Sequence, residues 1–250
     1  MKLSGAIDYL ANPMDKKPIR KKQKGHPPSI EAAIFDGGGT IWDSSESLYE
    51  SYLWGFRQLG LTLPLPPRTC HYLRGLRDFN TALGIAKALL WASKFFGGKG
   101  SLLFLERANA NGYLTEKVED LNRENSSFLS LAQGLAQLFD EYLYNNVREE
   151  TYEVLPYATE ILEMLHGIGY QLALVTIRRS ISAKRILKYH GLYRYFSHIL
   201  SREDLPAGRK SLDAGREPLK RLMIQPPHVL WVGDSGADVS CAKKAGMLAV

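Results

Sequence analysis

Four short apolar runs constrain this chain more than any other feature: AAIFD (32–36), YQLALVT (170–176), SHIL (197–200) and HVLWVGD (228–234). Each is too short, and too closely flanked by glycine or polar residues, to be a helix, so each reads as a strand. The segments between the later runs have helical spacing. In YATEILEMLHGIG, Ile161, Leu162 and Leu165 recur on one face and Gly167 to Gly169 mark the stop; SISAKRILKYHG and the region around GREPLKRLM follow the same pattern. Strands alternating with helices predict an α/β fold with a Rossmann-like parallel sheet covered by helices on both faces. The last residues, LAV, read as the start of a further strand.

Between the first two strands lies a long stretch that reads as helical. Leu48, Tyr52 and Phe56 share one face of a first helix, residues 82–95 make a second and 128–144 a third, with PLPP (64–67) and FFGGKG (95–100) as breaks. About a hundred residues of helix is too much for a crossover, so an inserted α-helical cap domain is expected. The expected organisation is an extension over 1–30, a core over 31–45 and 153–250, and a cap over 46–152.

The extension carries most of the charge asymmetry. The chain has a formal net charge of +6, and the run KKPIRKKQK (16–24) contains six positive charges and no negative one. Outside it, basic and acidic residues balance. A nucleic-acid contact is therefore expected at most through this basic tail, which otherwise reads as a solvated segment. No apolar window is long enough for a membrane span and no secretory signal is present, which points to a soluble, cytoplasmic protein. Cys70 and Cys241 stand far apart without ligand-like spacing, and the six histidines are scattered, so no disulfide, zinc site or catalytic histidine is assigned.

The acidic residues at the strand ends carry the chemistry. In open parallel sheets, ligands collect beyond the carboxyl ends of the strands. Asp36 ends the first strand, Thr176 the second, and Asp234 the last full one, inside GDSGAD, with Asp238 four residues on. Carboxylates gathered at one edge repel unless a cation neutralises them, and hard oxygen donors suit Mg²⁺.

These residues resemble the haloacid dehalogenase superfamily. The matching motifs are DGGGT (36–40), LALVT (172–176), a candidate Lys210 and GDSGAD (233–238); the stretches VLPYATEILEMLHGIGYQLALVT and VSCAKKAGM look like its helical-cap branch of phosphoglycolate phosphatases and beta-phosphoglucomutases. The resemblance implies a phosphatase acting on a small phosphorylated substrate. Asp36 would be the nucleophile, and Mg²⁺ would be held by Asp36, the Gly38 carbonyl, Asp234 and Asp238. Thr176 and Lys210, with Arg209 as the competitor of Lys210, would bind phosphoryl oxygens, together with Arg178 and the Gly39–Thr40 backbone.

One position departs from the pattern. Where phosphatases of the family carry a second aspartate that exchanges protons with the leaving group and with water, this chain has Gly38. Glycine transfers no proton, so a weakened or altered activity is expected, or a degenerate protein that binds a phosphometabolite or protein partner. Asp43 is a nearby substitute, with helix capping as its competing role. Two further motifs fall away: GDSG as a protease nucleophile loop does not fit alternating helices and strands, and GGKGS (97–101) lacks the spacing of a phosphate loop. Substrate identity and oligomeric state have no readable signal.

Overall fold

The structure, a computed structural model, describes residues 29–63, 81–96, 112–206 and 214–250. Five strands, β1 (Ala32–Asp36), β2 (Gln171–Val175), β3 (His198–Leu200), β4 (Val229–Val232) and β5 (Leu248–Ala249), form one sheet in the order β3-β2-β1-β4-β5. Every pairing is parallel. β1 is central and buried along its whole length, as a strand covered on both faces must be.

Alternation along β1 separates two cores. Ala33 and Phe35 face a cluster with Ala158 and Leu162 of α5 (Ala158–Gly167) and Ala183, Ile186 and Leu187 of α6 (Ser180–Tyr189). Ala32 and Ile34 face the opposite cluster, with Leu222 of α7 (Arg216–Leu222) and Cys241 and Ala242 of α8 (Gly236–Ala245). Helices therefore cover both faces, as the alternating pattern predicts. Gly169, at φ +91°, supplies the left-handed turn that returns α5 to β2.

The insert packs around its own core. Its helices among the described residues are α1 (Ser45–Gln58), α2 (Ala82–Phe96), α3 (Tyr113–Glu124) and α4 (Ser126–Asn145). Leu48, Tyr52 and Phe56 of α1 meet Leu135 and Phe139 of α4, and Leu89 and Trp91 of α2 join the same cluster. A side-chain carbon at Gly55 would come within 2.8 Å of the Phe139 ring, so glycine sets how closely α1 approaches α4. The sequence pattern does not single out α3. Its apolar face consists only of Leu114, Val118 and Leu121 in an otherwise polar segment.

Beyond β3 the chain is pinned by Asp204, whose Oδ2 accepts from the Ser201 N–H (2.9 Å) and hydroxyl (2.8 Å), while Oδ1 pairs with Arg221 (2.7 Å). Burial alone would raise the Asp204 pKa, but the Ser201 and Arg221 bonds hold it below the ordinary carboxylate range. A depressed folded-state pKa contributes stability above the unfolded value, which is lost as pH falls through the folded one. Asp204→Ala should therefore cost about 1 kcal/mol at pH 7. In urea titrations repeated at descending pH, the gap between variant and native protein should shrink in acid.

Candidate active site

Parallel register brings the motif residues to one edge. Asp36, the last residue of β1, pairs with Val175 of β2, so Thr176 follows beside it. On the other side Phe35 pairs with Val232 of β4, so Gly233 and Asp234 turn away next to Asp36. Asp238 comes from the first turn of α8. Carboxylate oxygens of Asp36, Asp234 and Asp238 all lie within 4.8 Å of one another. Asp36 and Asp238 are buried and Asp234 is exposed, which leaves the cluster open to solvent on one side. Three carboxylate donors with one open side are the donor set of a hard divalent cation.

The fold aims these acids without relying on an ion. Asp238 accepts from the indole Nε1 of Trp231 (3.1 Å) and from the Ser235 hydroxyl, while its own N–H donates to Ser235 Oγ (3.3 Å). This reciprocal pairing caps α8. Gly233 is required for it, because a side-chain carbon there would overlap Asp238.

Three consecutive glycines form the loop after Asp36, and two of them have steric reasons. At Gly37 a side chain would overlap the ring of Trp42 and approach Thr176 Oγ1 to 3.3 Å. Gly39 sits at φ +90°, and a side chain there would overlap the Asp234 carboxylate. Gly38 is not among the positive-φ glycines. The loop closes on itself through Ile41 N–H to Gly37 C=O (2.8 Å) and Gly39 N–H to Trp42 C=O (2.8 Å). The hydroxyl oxygen of Thr40 is buried with no hydrogen-bond partner.

Thr176 is buried, and its Oγ1 accepts from the Arg178 N–H (3.3 Å). The Arg178 guanidinium is buried against the Tyr152 ring (4.3 Å to the centroid) and donates to Tyr152 Oη (2.9 Å) and Ser44 Oγ (3.3 Å). Asp43, weighed as a substitute acid, is exposed; its Oδ1 accepts from the Ser45 N–H (2.8 Å) and hydroxyl (2.6 Å) at the start of α1. That is a turn-capping arrangement. Lys210 and Arg209 lie outside the described residues, as do the basic run 16–24, Cys70 and GGKGS. Trp42, Ser44 and Tyr152 carry no signal in the sequence, since contacts between residues so far apart leave no local pattern.

A parallel sheet with clustered aspartates beyond its central strands and a helical insert after the first strand defines an α/β scaffold with an acidic site at one edge. The family model for haloacid dehalogenase-like hydrolases matches residues 30–246, and the chain belongs to that family. Phosphoglycolate phosphatase of Vibrio vulnificus strain YJ016 is 34% identical over 110 residues, covering 44% of this chain and 48% of that protein. The chain thus spans about half the length of this relative. The Salmonella typhi phosphoglycolate phosphatase is 27% identical over 220 residues, covering 87% and 79%. A predicted phosphoglycolate phosphatase from Haemophilus somnus has the same fold, with TM-score 0.60 and 22% identity over 88% of this chain and 84% of that one. A subfamily IA hydrolase of the superfamily from Geobacter sulfurreducens gives TM-score 0.53 at 20% identity, covering 88% and 85%.

The two kinds of glycine constraint are separable by experiment. Gly60 also has positive φ (+66°) but open space around it, whereas Gly39 has both the dihedral and the Asp234 overlap. Gly60→Ala should cost about 1–2 kcal/mol and Gly39→Ala about 2–5 kcal/mol in denaturant titrations.

Proposed function

We propose that this chain is a cytoplasmic, Mg²⁺-dependent phosphatase acting on a small phosphorylated metabolite through an aspartyl-phosphate on Asp36. The convergence of the Asp36, Asp234 and Asp238 carboxylates within 4.8 Å at the mouth of the glycine loop carries this reading. The Asp36 carboxylate oxygen forms a bond to phosphorus as the ester oxygen leaves with its electron pair. Water then cleaves the acyl phosphate, releasing inorganic phosphate and restoring the carboxylate. Asp36, Asp234, Asp238 and the Gly38 carbonyl would hold Mg²⁺, which when bound screens nucleophile and phosphate from mutual repulsion. Thr176, Lys210 and the Gly39–Thr40 segment are the donors to phosphoryl oxygens. Arg178, set against Tyr152 and Ser44, adds positive potential from behind them.

Gly38 shapes what this site can do. It supplies no proton to a departing alkoxide and no base to the water, so esters with poor leaving groups turn over slowly. The φ of Gly38 is one that residues with side chains also adopt, so its backbone gives no reason for glycine there. The same residue favours a second reading, in which the site binds a phosphometabolite or a protein partner without turnover.

p-Nitrophenyl phosphate separates the two, because its phenolate departs without an acid. Magnesium-dependent hydrolysis is expected with it, and loss of that turnover in Asp36→Asn. 2-Phosphoglycolate, the substrate named for the relatives, is the first alkyl phosphate to try. Gly38→Asp should accelerate it by about a hundred- to ten-thousandfold, the usual worth of a general acid–base group. Absence of turnover in both the native protein and Gly38→Asp would leave the binding reading.

A further inference from the structure

Arg202 reaches the segment that follows Thr176 from outside the sheet. Arg202, two residues past β3, donates its backbone N–H to the Arg178 carbonyl (2.8 Å) and its Nε to the Ile177 carbonyl (3.0 Å). Its Nη1 points the other way, to Asp140 Oδ2 of α4 in the cap (3.1 Å). The same guanidinium lies 5.8 Å from the ring centroid of Tyr144, one turn further along α4. Arg179 stacks on that ring as well, at 4.7 Å.

Physical reasons favour this contact. α4 ends with no basic residue in its last turn, so Arg179 and Arg202 bring to its C-terminus the positive charge that the helix dipole favours. Burial would lower the pKa of Arg202, but Tyr144 and Asp140 hold it above the ordinary arginine value. Arg202 is about two-thirds covered, and a guanidinium can make bonds in several directions in one plane. Lysine has no equivalent fork.

We propose that Arg202 is a positioning residue that fastens α4 of the cap to the Ile177–Arg179 segment, so that cap seating and the orientation of Thr176 are set together. The role in catalysis rests on the phosphatase reading, whereas the mechanical link does not. Among the described residues, Asp140 reaches the segment after Thr176 through Arg202, and that makes the link measurable from its far end.

The test compares Asp140→Asn, Arg202→Ala, Arg202→Lys and the double variant Asp140→Asn/Arg202→Ala in the full chain. Hydrogen exchange is followed in peptides spanning 176–182 and 136–146. The isosteric Asp140→Asn should speed exchange in the 176–182 peptide as Arg202→Ala does, and Arg202→Lys should not restore protection. With p-nitrophenyl phosphate, kcat/KM should fall about ten- to a hundredfold in each single variant, as a misplaced binding group costs. The double variant should fall no further than the worse single one, since both changes break the same link. Faster exchange confined to 136–146 in Asp140→Asn, or multiplicative losses in the double variant, would overturn the proposal. A native protein without turnover would sink the phosphatase reading while leaving the exchange comparison to decide the link.

Discussion

Mutual repulsion among three carboxylates is the constraint around which the rest of the molecule is arranged. At separations within 4.8 Å a pair of like charges costs at least about 0.9 kcal/mol in bulk water and at least about 3.5 kcal/mol at an effective dielectric of 20. Such a cluster scatters unless each member is held by something else. Asp36 is fixed by the central strand, which has partners on both sides. Asp238 is fixed by Trp231, Ser235 and the first turn of α8, where the helix dipole also favours its charge. Asp234 is the exposed member of the three, and it sits over Gly39 because that residue has no side chain. The scaffold thus keeps the acids together, and a divalent cation would then bind without having to assemble them.

The glycine loop shows how closely one local sequence can be read once its neighbours are known. Gly37 leaves room for the Trp42 ring, and the closing bonds to the Gly37 carbonyl keep that ring under the loop. Gly39 gives way to Asp234. Gly38 is not among the positive-φ glycines, so its φ does not call for glycine. Two of the three identical letters thus answer to neighbours that only the folded chain brings close.

Much of the core was legible because its signals are local. Short apolar runs gave the strands and period-3.6 patterning the helices, and the parallel alternation placed Asp36, Thr176 and Asp234 at one edge from the residues alone. Strand ends were less sharp: β4 stops at Val232, so Gly233 and Asp234 belong to the turn. α3 escaped because three apolar residues in twelve are a weak stripe. The surroundings of Arg178 were not legible either. Its position after Thr176 suggested phosphate, but its partners Ser44 and Tyr152 lie 134 and 26 residues away, and only the folded chain brings them together.

Those partners also tie Arg178 to the two segments that connect the insert to the core. The outgoing segment at Ile41–Asp43 and the returning one at Glu153–Leu155 are hydrogen-bonded to each other, Asp43 N–H to Glu153 C=O (2.8 Å) and Leu155 N–H to Ile41 C=O (2.9 Å), with an antiparallel bridge between Trp42 and Val154. Arg178 is anchored to both, through Ser44 just beyond one segment and Tyr152 just before the other. Arg178 in turn donates its N–H to Thr176 Oγ1 (3.3 Å). Arg178 thus joins the two segments that connect insert and core to the residue that follows β2, which gives its burial a structural reason.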